Sequence, residues 1–155
     1  MAPIKVKIKK LNDKAVIPFK SYSNDFCYDV VATSCEEIAP NVYKYGTGLS
    51  FEIMRECDGM VVVPSDVVLS IDFRPRSSVW KTGMSLANCT GTIDEPYRGE
   101  VCAIFYHVLP NMPKYEIGDK IGQIKLGITH NIEFEVVDEL SDTERGSGGF
   151  GSTGK

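Results

Sequence analysis

At 155 residues, with 43% apolar and 25% charged residues, the chain has the composition of one globular domain and is too apolar to remain disordered. A formal net charge of −4 gives no basic field for gripping a nucleic-acid duplex, so an anionic ligand has to be met by a local cluster of donors. No apolar run approaches the ~18–20 residues that span a bilayer, and the N-terminus interleaves Lys5 and Lys7 with apolar residues where a signal peptide needs a continuous apolar run. The expected location is the cytoplasm, or the nucleus or host cytoplasm for a viral chain, with no secretion and no membrane partner.

From the N-terminus onward, period-2 patterning dominates. Ile4, Val6 and Ile8 alternate with lysines as in a half-buried strand, and Leu49–Ile53 and Val67–Phe73 read the same way. Tyr28-Asp29-Val30-Val31-Ala32 is an apolar strand with one carboxylate in it, costly to bury without partners. Phe73-Arg74-Pro75-Arg76-Ser77-Ser78 sets two guanidinium groups and two hydroxyls at the end of a strand, a composition that suits either phosphate oxygens or a solvated basic turn. The best helical candidate, Ser78 to Leu86, is cut short by Gly83.

Gly91-Thr92-Ile93-Asp94-Glu95-Pro96-Tyr97-Arg98-Gly99-Glu100 is the densest chemical signal: two glycines bracket a turn rich in ionisable groups. It reads as a hairpin loop with a surface ion pair, or as a scaffolded loop carrying catalytic groups. Glu100–Val108 is continuous enough for a strand buried on both faces. Gly118-Asp119-Lys120-Ile121-Gly122-Gln123 turns into another strand, continued by Ile124 and Leu126, and Ile132, Phe134 and Val136 mark one more. Turn signals at Asp58-Gly59, Pro64-Ser65, Asn111-Met112-Pro113 and Gly118-Asp119 separate the strands, so the pattern is all-β, a sandwich or barrel in one domain.

Residues 141–155 break this pattern. The glycine-rich segment cannot order itself through its own contacts, so it reads as a frayed terminus or as an arm that orders on a ligand. Arg145 and Phe150 have no use in a plain linker. The stretch Gly149 to Lys155 imitates a phosphate loop, but that loop requires a parallel α/β core, which these strands do not form. What survives is a supply of backbone N–H groups and hydroxyls suited to phosphate oxygens. The five cysteines are odd in number and contain no Cys-x-x-Cys pair, which favours reduced, mostly buried thiols over disulfides or zinc.

Taken in order, Tyr28-Asp29-Val30, Pro75-Arg76-Ser77-Ser78, Gly91–Gly99, Gly118–Gln123 and Arg145–Gly154 resemble the five motifs of the trimeric dUTPase family (deoxyuridine 5′-triphosphate nucleotidohydrolases). The resemblance implies a jelly-roll-like β-barrel or sandwich of the β-clip type over residues 1–140, with a flexible C-terminal arm over 141–155. It implies hydrolysis of dUTP to dUMP and pyrophosphate by metal-assisted water attack on the α-phosphate, keeping uracil out of DNA and supplying dUMP for dTMP synthesis.

By the same resemblance, Asp94 is the general base and Arg145 an arginine finger. Tyr97 excludes a 2′-hydroxyl, while Asn88, Gly91 and Ile93 lie at the base and sugar. Arg76, Ser77, Ser78 and Gln123 meet the triphosphate, and Asp29 holds water ligands of Mg2+. Phe150 stacks on uracil, and Gly151, Ser152 and Thr153 wrap the phosphates. A homotrimer is implied, with the arm reaching a neighbouring subunit and no nucleic-acid partner. The pattern departs from the family at Phe26-Cys27 and at Ser78-Val79-Trp80, and no close match lies between Ile38 and Arg74. dCTP deaminase, which shares the fold and an Arg-Ser-Ser segment, is the nearest rival; a catalytically silent β-sandwich module is the second.

Overall fold

The computed structural model describes residues 3–57 and 59–149. Its strands are β1 (Val6–Lys10), β2 (Tyr28–Val31), β3 (Ser34–Ala39), β4 (Val42–Gly46), β5 (Leu49–Ile53), β6 (Glu56–Cys57), β7 (Met60–Val61), β8 (Val67–Arg74), β9 (Met84–Leu86), β10 (Gly91–Asp94), β11 (Cys102–His107) and β12 (Lys120–His130). One sheet has the order β10-β8-β12-β2 and a second β3-β4-β11-β9, with β1-β5 and β6-β7 as separate two-stranded ladders. All of these pairings are antiparallel, and the sheets do not close on themselves, so the all-β expectation resolves to a sandwich.

The core lies between the two four-stranded sheets. Phe73 on β8 meets Phe105 on β11 edge to face at 6.4 Å, and Phe105 packs in the same manner on Tyr45 of β4 and on Tyr115. Phe73, Phe105 and Tyr45 are all essentially buried. Edge-to-face geometry sets the positive ring edge on the negative face of its neighbour, adding about 0.5–1.5 kcal/mol per pair beyond burial. The Tyr45 hydroxyl, carried into this core, donates to the Tyr115 carbonyl at 2.8 Å.

Four expectations change. The Ser78–Leu86 helix is a 3-10 turn, Ser77–Lys81, followed by β9. β11 alternates, with Ile104 and Tyr106 outward, because only one face of its sheet is covered. Ile132, Phe134 and Val136 form no strand; β12 ends at His130, and these side chains are 72, 87 and 99% exposed. Cys27, Cys35 and Cys102 are unpaired but only half-buried, and Cys89 is exposed.

Candidate active site

β2 carries Asp29 into the interior, where it is 3% exposed. Its Oδ1 accepts from Arg76 Nε at 3.1 Å and Gln123 Nε2 at 3.0 Å. Its Oδ2 meets Lys120 Nζ at 2.9 Å and Ser21 Oγ at 3.4 Å. Burial opposes the ionised form, but hydrogen bonds from Lys120 and Gln123 and the charges of Arg76 and Lys120 outweigh it, holding the carboxyl below its usual range.

Local structure explains the convergence. Pro75 ends β8, since it offers no N–H to a ladder, and Arg76 stands with extended backbone (φ −76°, ψ 155°) at the head of the 3-10 turn. There its Nη1 also reaches Ser78 Oγ at 3.4 Å, while Ser77 is exposed. On β12, Lys120 and Gln123 are three residues apart and would point to opposite faces of a regular strand. A register shift between Lys120 and Gly122 breaks that alternation, so both side chains reach Asp29. The cluster opens on a cleft of about 360 Å³ walled by Tyr22, Phe26 and Cys27.

The second constellation is the connection from β10 to β11, which the sequence reads as a hairpin loop. β10 lies in one four-stranded sheet and β11 in the other, so it is a crossing between sheets. β10 pairs with β8 as far as Asp94 opposite Ser70, and the chain then turns, with Tyr97 N donating to Asp94 O at 3.0 Å. Tyr97 Oη donates to Glu100 O at 3.1 Å, folding the ring over Gly99, where any β-carbon would collide with it. Exposed Asp94, half-buried Ile93 and half-exposed Tyr97 line a cleft of about 330 Å³ with Lys44, Thr92 and Cys102. Asn88 folds over the start of this strand, its Nδ2 lying 3.4 Å from where a Gly91 β-carbon would be. Beside Asp94, the Glu95 carboxylate receives Arg55 Nε and Nη2 at 2.7 and 2.6 Å, and these bonds hold it below its usual range.

Within one chain the expected site residues thus fall into two groups. Asp29, Arg76, Ser78 and Gln123 form one, and Asn88, Gly91, Ile93, Asp94 and Tyr97 the other, and the two clefts share no lining residue. Arg145 is exposed and its Nε donates to Gly148 O at 2.8 Å, a local contact away from both clefts. Phe150, Gly151, Ser152 and Thr153 lie outside the described residues.

Sequence reasoning missed Lys120, Ser21 and Arg55. Lys120 stood inside a quoted segment, but the bulge that aims it at Asp29 leaves no sequence signal beyond Gly122. Ser21 stands eight residues before Asp29 in a stretch with no pattern of its own, and Arg55 acts across 40 residues, further than any motif spans. Among the described residues no three His, Cys, Asp or Glu side chains gather as an ion cage. With four donors already on its oxygens, two of them cations, Asp29 is ion-paired within this chain and offers no open position for direct ligation.

The dUTPase family model matches residues 13–154. The deoxyuridine 5′-triphosphate nucleotidohydrolase of Nautilia profundicola is 36% identical over 154 residues, covering 98% of this chain and 100% of the relative. That of Clostridioides difficile is 38% identical over 151 residues, covering 96% and 97%. Among solved structures, the Staphylococcus bacteriophage 80alpha dUTPase with dUPNHPP superposes with a TM-score of 0.74 at 22% identity, covering 97% of this chain and 99% of that one. A phage phi11 dUTPase variant described with a structural Mg(II) ion gives 0.65 at 17% identity, covering 89% and 99%.

Proposed function

The chain belongs to the dUTPase family and is a dUTP diphosphatase, releasing dUMP and pyrophosphate; from that premise we propose how its residues do the work. Water attacks the α-phosphorus in line, Asp94 takes the water's proton, and the bond from the α-phosphorus to the bridging oxygen breaks as pyrophosphate leaves. The observation that carries this assignment is the placing of Asp94 with Tyr97 in one cleft, on a connection between the sheets that is tied at both ends. Tyr97, braced on Glu100, forms a wall against the sugar that leaves no room for a 2′-hydroxyl, and Asn88, Gly91 and Ile93 meet the base and sugar beside it.

Arg76, Ser77, Ser78 and Gln123 bind the triphosphate, offsetting its charge through fixed donors. Asp29 is the residue to hold water ligands of Mg2+, and that ion supplies neutralisation of phosphate charge when bound. Arg145 closes on the terminal phosphates, Phe150 covers the uracil, and Gly151, Ser152 and Thr153 wrap the phosphates. Removal of dUTP keeps uracil out of DNA, and the dUMP released feeds dTMP synthesis, in the cytoplasm or, for a viral chain, the host cytoplasm or nucleus.

A homotrimer is part of this reading. Two clefts without shared residues call for completion by neighbouring subunits. The row Ile132, Phe134, Val136 leaves the sandwich exposed, with none of the described residues covering it. An apolar groove of about 440 Å³ between β1 and the sheet of β8 and β12, lined by Val6, Ile8, Phe51, Ile71 and Ile124, suits such a segment from a second copy.

The test is pyrophosphate release across a panel of nucleoside triphosphates with Asp94→Asn in parallel. The parent is expected to act on dUTP far faster than on UTP or dCTP, and the variant to bind dUTP while turnover falls at least ~100-fold. Near-normal turnover by Asp94→Asn sinks the assignment.

A further inference from the structure

Arg55 lies in the stretch where no family motif was found, yet it makes the densest set of side-chain hydrogen bonds outside the Asp29 cluster. Its backbone is fixed first: the Arg55 carbonyl accepts from Val62 N at 2.9 Å and Val63 N at 3.2 Å, closing the base of the β6–β7 hairpin. Its guanidinium then grips Glu95 with two parallel bonds, 2.7 and 2.6 Å, and donates to the carbonyls of Pro64 at 2.9 Å and Val67 at 3.0 Å. Four bonds from one planar fork fix both the position and the plane of the Glu95 carboxylate.

The location gives this grip its meaning. The β10–β8 ladder ends at the Asp94–Ser70 pair, and Glu95 is the next residue. On the return leg the chain is tied again by Ser50 Oγ to Arg98 O at 2.7 Å and by Val101 N to Leu49 O at 2.8 Å. Between these ties stands the turn with Asp94 and Tyr97. Arg55 therefore holds the first residue of that turn beyond the ladder, and without it the backbone between the Asp94–Ser70 pair and Arg98 loses its one tie to the β6–β7 side through Glu95.

We propose that Arg55 is a positioning residue for dUTP hydrolysis, acting through Glu95 to set the angle at which Asp94 and Tyr97 face the nucleotide. This rests on the reading of Asp94 as the base and Tyr97 as the sugar wall. Displacement of a reacting group by about 1 Å costs on the order of 100-fold in rate. Loosening the turn therefore acts on turnover and on discrimination between deoxyribose and ribose more than on dUTP capture, which the triphosphate donors of the other cleft carry.

The experiment measures kcat and KM for dUTP and for UTP, with thermal melting, in Arg55→Ala, Glu95→Gln, Arg55→Ala/Glu95→Gln and Asp94→Asn. Arg55→Ala is expected to lose ~10–100-fold in kcat for dUTP with KM changed less than ~3-fold, and to raise the UTP-to-dUTP rate ratio at least ~3-fold. The double variant is expected to be no slower than the worse single one, because both changes break one contact. Folded variants with kcat within ~2-fold of the parent overturn the proposal even if their melting point drops, since the pair is then a stabilising contact only. If Arg55→Ala does not fold, Glu95→Gln decides by the same criteria, as it leaves the carbonyl contacts of Arg55 in place. Asp94→Asn separates the two levels: its normal turnover removes the underlying site reading, whereas its collapse beside an unaffected Glu95→Gln removes only the role of Arg55.

Discussion

A carboxylate within an apolar strand was visible in Tyr28-Asp29-Val30, and physical chemistry required it to have partners. Who those partners are was not visible, because Lys120 on β12 and Arg76 at the head of the 3-10 turn are distant in the chain and only the fold brings them near. The folded state holds the Asp29 carboxyl below its ordinary value of 3.8. Its contribution to stability is thus fully present above that ordinary value and is lost as pH falls through the lower, folded-state one. Asp29→Asn is expected to cost about 1–3 kcal/mol at neutral pH, below the cost of breaking a fully buried pair because Arg76 and Lys120 keep 29 and 33% of their side chains in water. Urea unfolding at a series of pH values checks this: the gap between parent and variant should shrink as the solution is acidified toward pH ~2–3. A gap that stays constant would mean that the ion pairs contribute little.

At the level of elements, alternation located β1 and β8 well, because each has one face on the core and one toward water. It misjudged β11 by taking an unbroken apolar composition as double burial. It misjudged residues 132–136 because periodicity reports suitability for a ladder and is silent on whether a partner strand exists in the same chain. The bulge in β12 was legible only as a glycine. A β-carbon on Gly122 would fall 2.1 Å from the Phe73 ring, so the absence of a side chain there lets β12 lie close against the buried aromatic. Gly122→Ala must push Phe73 away from Phe105, and overpacking of that kind costs about 1–3 kcal/mol. Differential scanning calorimetry is expected to show a melting point lower by roughly 2–10 °C. An unchanged melting point would show that the core yields freely at this point.

For the whole molecule, the question is where a complete set of catalytic groups comes from. One chain presents Asp94 with Tyr97 in one cleft and Asp29 with Arg76 and Gln123 in another. If neighbouring subunits combine these clefts, two inactive variants should rescue each other. Mixing Asp94→Asn with Arg76→Ala, one change in each cleft, after mild dissociation and reassociation, is expected to restore a sizeable fraction of parental turnover, about a quarter on random assortment. Size-exclusion chromatography with light scattering on the same mixture should give three chains per particle. Turnover no greater than the sum of the separate variants, in particles confirmed as mixed, would place each site within a single chain.

The segment after β12 has one more consequence. Glu133 and Glu135 are interleaved with Ile132, Phe134 and Val136, and all five side chains are exposed. An uncovered apolar ribbon of high β-propensity is a template for amyloid-like stacking, and charges at alternate positions are what natural sequences use to disfavour it. In parallel stacking, each glutamate would lie against its own copy, so the repulsion grows with every layer added, whereas in a closed assembly the ribbon meets a different surface. For the proposed homotrimer, a still solitary subunit would therefore carry within this segment both the surface for assembly and a safeguard against aggregation.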